Sequence, residues 1–492
     1  MDGKQAAAAA LLGVCLIGSP LRAAPVDPVV SPSSSSVAPA TSPTGTSPPK
    51  APSESTGSAA TAARIAVAQA WLAESDARIA AANAPGAQPP LPAVAPVAGS
   101  DPAARAAQAK ARLAEAKARG AARRNELIEN LKRRQAMSAD MHTYSEQKKA
   151  EAAAAELAAK QEEQRRLLDP ATARPALQGS EQQVRDALEF QGRALVKQGR
   201  LREAETIFSD YVAQRRRTPS GLWMSGLFFS GVGTGLLENV PENAQAQRWK
   251  TVEEQTLDWA RKSPESPLPR LLHAHILFDH AWEVRGGRYA VNTPKQVWKP
   301  FKALIARTAK YLDRERAVAS RAPEYYWILL KTLRSSDGGG DHLTVLEQGE
   351  RAFPGYYPSY FAMFTTLMPK WHGSVEHIEA FAEAAAQRTE RTDGAGMYAR
   401  IYWYAAQDTY RFNLFKATGV RWERMKQGFD DVIQRYPDQW NLQNYARFAC
   451  DAQDRDKLAE LLAKIDGPPM MEAWSNPQLF EKCSELAGRL KL

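Results

Sequence analysis

The placement of aromatic residues constrains this chain more than any other feature. Of its 12 Trp, 15 Tyr and 15 Phe, only Trp71 and Tyr144 precede residue 171. Aromatic side chains bury the most area per residue and dominate core energetics. A packed core therefore belongs to the last two-thirds of the chain. Charge runs the other way. The 492 residues carry 64 Lys+Arg against 55 Asp+Glu, a net +9. Residues 1–100 balance at 5 and 5, residues 101–168 hold 15 and 10, and residues 169–492 hold 44 and 40. More than half of the excess thus sits on a segment outside the aromatic core. A basic globular domain built for polyanions is not what this arithmetic describes, and nucleic acid is not an expected partner. A hydrophobic content of 44% excludes wholesale disorder, and three cysteines exclude both a disulfide scaffold and a multi-cysteine zinc site.

The N-terminus has the layout of an export signal. Lys4 is followed by an apolar run from Ala6 to Ile17, then Gly18, Pro20 and the small pair Ala23-Ala24. The run is shorter than the roughly 20 residues a membrane span needs. Residues 1–24 are therefore expected to be a signal peptide, with a periplasmic or secreted product. Residues 25–100 are rich in Pro, Ser, Thr and Ala. Such a stretch buries too little surface to offset chain entropy and reads as a linker, interrupted by a helix near 60–83.

Residues 101–170 read as a polar helical spacer. Ala, Glu, Lys, Arg and Gln dominate, and no proline lies between Pro102 and Pro170. Its sparse apolar residues do not sustain a leucine seam. Its net positive charge makes weak contact with an anionic envelope surface an alternative role.

Residues 175–492 show amphipathic helices punctuated by Gly, Pro and Asp turns, with no alternating strand pattern. The expected fold is all-α: stacked helical hairpins of the tetratricopeptide type. Gly192, Ala204 and Phe208 occupy small, small and large positions of such a repeat. A weaker echo lies at Phe429 and Pro437. The uncharged window 218–237, with Gly231, Gly233 and Gly235, reads as a buried helix plus loop. It lacks the Lys-Ser/Thr of a phosphate-binding loop.

Three strings, "FDHAWEVRGGRYA", "AFPGYYPSYF" and "LMPKWHGSVEHIEAFA", resemble the bacterial domain of unknown function 4034 over about residues 180–450. The matching residues are Trp282, Arg285, Gly286, Gly287, Tyr289, Pro354, Tyr357, Pro369, Trp371, Gly373 and Ser374. The resemblance implies a helical, repeat-like bacterial domain. It implies no reaction and no catalytic residue.

The densest polar cluster holds His273, His275 and His280, with Asp279 and Glu283 beside them. On a helix His273 and His275 point about 200° apart, and His273 lies about 10 Å from His280 along the axis, so no metal site is expected. Arg285-Gly286-Gly287, with Tyr289 beyond, reads as a helix C-cap, with an anion cradle as its alternative. Trp371-His372-Gly373-Ser374 reads as a helix start with Ser374 as N-cap. Cys450 and Cys483 can pair in an oxidising compartment or remain buried thiols.

These patterns fit a non-catalytic scaffold or interaction module with a protein partner and no cofactor. Trp282, Tyr289, Tyr326, Trp327, Tyr356, Tyr357 and Trp371 would supply contact area if they are not consumed by the core. An enzyme is the alternative. It requires His273 or His280 to converge with Glu283, Arg285 and His372 in one cleft.

Overall fold

The computed structural model describes residues 101–336, 340–371 and 373–488. The signal peptide, the linker, the helix at 60–83 and His372 lie outside the described residues. Among the described residues every regular element is helical, and the only β-type pairing is an isolated bridge between Arg217 and Trp223. The chain is an all-α helical stack. No described helix is long and apolar enough to cross a membrane.

Helix α1, Pro102–Leu168, is one continuous polar helix. It is sustained by alanine content and by neighbouring ion pairs such as Lys132–Glu129, Lys149–Glu146 and Lys160–Glu156. Each exposed pair contributes only about 0.3–0.5 kcal/mol. Such pairing also occupies several of the cations that the envelope-contact reading would use. The residues from Ala153 onward, the end of α1 among them, belong to one compact unit. The reason is local. Leu167 is buried, Arg166 lies 4.9 Å over the Phe190 ring, and Glu163 pairs with Arg193 at 2.6 Å.

In this unit α2 (Glu181–Lys197) opens with a capping box between Ser180 and Gln183. There follow α3 (Leu201–Ala213), α4 (Met224–Glu238), α5 (Arg248–Lys262), α6 (Pro267–Arg285), α7 (Lys295–Arg314) and α8 (Glu324–Arg334). The series continues with α9 (His342–Ala352), α10 (Tyr357–Thr366), α11 (Val375–Asp393) and α12 (Gly396–Ala405). It ends with α13 (Trp422–Arg435), α14 (Gln439–Asp451), α15 (Arg455–Lys464) and α16 (Pro477–Leu486). Successive helices pair, as in α5 with α6, α6 with α7, α11 with α12 and α14 with α15. The core is strongly aromatic: Trp403, Trp440, Trp474, Tyr357, Tyr360, Tyr398 and Tyr445 are fully buried. Cys450 on α14 and Cys483 on α16 are joined by a disulfide, with Cα atoms 5.6 Å apart.

The window 218–237 is a loop followed by a buried helix: Gly221 lies in the loop, while Gly226, Gly231, Gly233 and Gly235 lie within α4, which is buried nearly all round, as a helix without a polar face must be. Gly192 behaves differently from the repeat pattern. Its close approach is to α4, not to the Ala204 helix: a β-carbon at Gly192 would lie 2.6 Å from the Val232 nitrogen. One at Gly231 would lie 2.2 Å from the Glu189 carbonyl oxygen. The two backbones meet where side chains are missing on both sides. Ala204 and Phe208 are fully buried, and Phe208 packs 6.3 Å from Phe229.

The segment between α3 and α4 is held by distant parts of the chain. Buried Glu181 accepts from the Ser220 amide (2.8 Å) and the Thr218 hydroxyl (3.0 Å). Arg400 on α12 and Asn441 on α14 both donate to the Ser220 carbonyl, at 2.8 and 3.3 Å. Trp223 donates to the Gly355 carbonyl at 2.9 Å. The chain therefore covers part of the α12 and α14 surface with its own loop, surface that an open solenoid would leave for a partner. Gly221, at φ +96°, is required there: a β-carbon would strike the Tyr436 ring at 2.7 Å.

Candidate functional site

The structure separates the polar residues that the sequence grouped. His273 is buried on the α5 and α7 side of α6. Its Nδ1 lies 2.9 Å from the Thr256 hydroxyl and its ring 4.5 Å from Tyr311. Burial pushes its pKa down to about 4, so it stays neutral. His280 stacks flat on Trp249, with Nδ1 2.9 Å from Glu253. Glu283 accepts from the Trp249 indole at 3.1 Å. His280 and Glu283 thus meet through Trp249, while His273 bonds a different residue of α5. No group of three or more metal-ligating side chains occurs among the described residues.

The Arg285 element is a helix terminus. Gly286 takes φ +74° and its amide donates to the Trp282 carbonyl. Arg285 donates to the carbonyls of Gly286 and Arg288, both at 3.0 Å, and lies 4.9 Å over the Trp282 ring. Gly287 has open space around it, and Tyr289 is exposed. Gly373 is structural: a β-carbon there would come 1.9 Å from the Leu367 carbonyl oxygen. Ser374 is the N-cap of α11 and accepts from the His377 amide at 3.2 Å.

Of the aromatic residues expected to offer contact area, Trp327, Tyr356 and Tyr357 are buried in the core, while Trp282, Tyr326 and Trp371 are half-buried. The segments 273–289 and 371–377 do meet, but through Trp282 and Trp371, whose rings stand edge to face at 6.0 Å. Around this contact runs a closed circuit of rings and cations. Lys331 Nζ lies 4.4 Å over Phe278, and Phe278 packs 6.2 Å from Trp282. Trp371 follows, and Arg334 lies 5.4 Å over Trp371. Lys331 and Arg334 are one turn apart on α8, which closes the circuit.

The polar groups of this circuit are poorly satisfied. The Nε1 atoms of Trp282 and Trp371 and the Nε of Arg334 are buried without a partner. Arg334 makes one weak hydrogen bond, to the Ala362 carbonyl at 3.3 Å. Lys331 also lies 4.2 Å over Trp327, and among the described residues no ion pair joins it to a carboxylate. Burial pushes its pKa down to about 8 against the attraction of Asp279, and lowers that of Arg334. Asp279 pairs with His275, Oδ2 to Nδ1 at 2.6 Å. Burial lowers the His275 pKa despite this carboxylate, and its Nε2 is buried and unpartnered.

Lys331 and Arg334 did not stand out in the sequence. Their signal lies in "YYWILLKTLR", where two cations interrupt the buried face of a short apolar helix. The chain matches no family model, no curated protein and no solved structure, so the resemblance to the domain family 4034 rests on its quoted strings alone.

Proposed function

We infer that this chain is an exported, non-catalytic recognition module whose helical stack engages a partner where Trp282 of α6 meets Trp371. The observation that carries this reading is the pair Trp282 and Trp371. They join the two motif segments, yet their indole N–H groups are buried with no acceptor. An unsatisfied buried donor costs about 1–3 kcal/mol, and a partner bringing acceptors would recover that cost. Tryptophan and arginine are also the residue types that dominate recognition energetics. The Cys450–Cys483 bond supports the export part, because such bonds persist in oxidising compartments.

The test is an affinity pull-down from an envelope extract with the full chain and its Trp371→Ala variant. A partner held by the native chain and released by the variant supports the reading. Equal retention by both, or no retained protein alongside turnover of a small substrate, overturns it.

One observation favours catalysis as a second reading. The Asp279–His275 pair, with Nε2 free, has the make-up of a general base and its orienting carboxylate. That reading requires a turnover that His275→Gln abolishes.

A further inference from the structure

From Val284 to Leu312 the chain holds seven Lys and Arg residues and no Asp or Glu. Three of the seven are engaged within the fold. Arg285 folds back on carbonyls and on the Trp282 ring, Arg307 pairs with Glu253 at 2.9 Å, and Lys302 has a contact of its own. The other four, Arg288, Lys295, Lys299 and Lys310, are exposed, and among the described residues no ion pair joins them to a carboxylate. The acids at either end of the stretch are taken: Glu283 by Arg248, and Asp313 by Arg316 at 2.7 Å.

Helix α7 sets its cations in line. At about 100° per residue from Lys295, Lys299 lies at about 40°, Lys302 at about 340°, Ala306 at about 20° and Lys310 at about 60°. The six buried residues of α7, from Phe301 to Leu312, centre on about 220°, the opposite side. The basic stripe is about 22 Å long. In isolation it is unfavourable. The first turn of α7 has no acid, where the helix dipole favours one, and it starts on Lys295. Lys295 and Lys299 stand one turn apart and repel. On α1, by contrast, many cations pair with acids three or four residues away. The loop that runs into the stripe adds an apolar tip. Tyr289 is 66% exposed, and Val291, at 89%, is the most exposed large apolar side chain among the described residues.

We propose that the loop 288–294 and the basic face of α7 form a docking surface for a bilayer bearing anionic headgroups. Tyr289 and Val291 enter the interface, and Arg288, Lys295, Lys299 and Lys310 lie against the headgroups. Tyrosine sits well at headgroup level, and an aliphatic side chain gains from the acyl boundary. A nucleic acid would match the charge but would leave Val291 without a stacking role. This surface is separate from the partner contact at Trp371, so failure of either reading leaves the other standing.

The experiment sediments the full chain with vesicles of phosphatidylcholine alone or with about one-third phosphatidylglycerol. The anionic vesicles are expected to bind at least about tenfold more tightly, and high salt to remove most of the difference. The variant Lys295→Gln/Lys299→Gln/Lys310→Gln is expected to weaken that binding at least about thirtyfold. Arginine at the same three positions should retain it. Tyr289→Ser/Val291→Ser is expected to weaken it about tenfold. Arg123→Gln/Arg124→Gln, on α1, should leave it unchanged. All these positions are exposed, and circular dichroism checks that each variant is folded. Equal binding to neutral vesicles, binding that survives the triple glutamine variant, loss on the α1 variant instead, tighter retention on duplex DNA, or no binding overturns the proposal.

Discussion

The crossing of α2 and α4 yields a prediction in which two glycines of one helix respond with opposite sign. At Gly231 a new β-carbon would sit 2.2 Å from the Glu189 carbonyl oxygen, whereas ordinary contact begins near 3.4 Å. The obstacle is backbone, so no rotamer change relieves it, and the helices must part by about 1 Å. Overpacking of this kind costs about 1–3 kcal/mol, against a gain of about 1 kcal/mol in helix propensity. Gly231→Ala is therefore expected to destabilise by up to about 2 kcal/mol. Two residues on, a β-carbon at Gly233 would meet nothing closer than Leu272 Cδ2 at 3.7 Å. Gly233→Ala keeps the propensity gain and is expected to stabilise by about 1 kcal/mol. Gly192→Ala meets the same crossing from the other side, 2.6 Å from the Val232 nitrogen. Once the helices have parted for one substitution, the second costs less, so the Gly192→Ala/Gly231→Ala pair falls short of additivity. Urea unfolding followed by circular dichroism measures all four variants. Equal shifts for Gly231→Ala and Gly233→Ala, or full additivity of the double variant, would refute the argument.

Other consequences concern buried charge and the disulfide. Lys331→Met removes a cation that burial disfavours, and should raise stability at pH 7 by about 1–2 kcal/mol; a loss of stability would show that Lys331 is structural. Burial raises Glu324 to about 7, although the Ser225 and Tyr356 hydroxyls bond its Oε1. The unfolded carboxyl titrates near its ordinary value of 4.5, so stability is fully present below that pH and declines as pH rises to about 7. Thermal unfolding of Glu324→Gln across this window should lack that decline. His273, held near 4, acts on the acid side: its contribution is present above 6.5 and lost as pH falls through about 4, and His273→Gln should flatten that slope. Reduction of the Cys450–Cys483 bond, which spans a sequence separation of 33, should cost about 3–4 kcal/mol, measured as a shift in the urea midpoint with dithiothreitol.

The sequence by itself determined the fold class and the location of the core. Helical periodicity and capping residues act within a few positions, so Gly286 and Ser374 could be read as helix ends directly, and their geometry is that of caps. The aromatic imbalance located the core, because large side chains must be buried wherever they fall. The tertiary structure alone decided which neighbour each helix meets. Gly192 lies close in sequence to α3 yet packs on α4, and the loop at Ser220 is held by Arg400 and Asn441 from far along the chain. It also decided which polar residues share a site. His273 and His280 look alike in sequence to His275, but the 100° step per residue turns those two toward α5, two turns apart and on different partners, and turns His275 away to Asp279. Lys331 and Arg334 became notable only when their helix was seen to be packed, because a cation without a counter-charge is unremarkable in water and costly among aromatic rings.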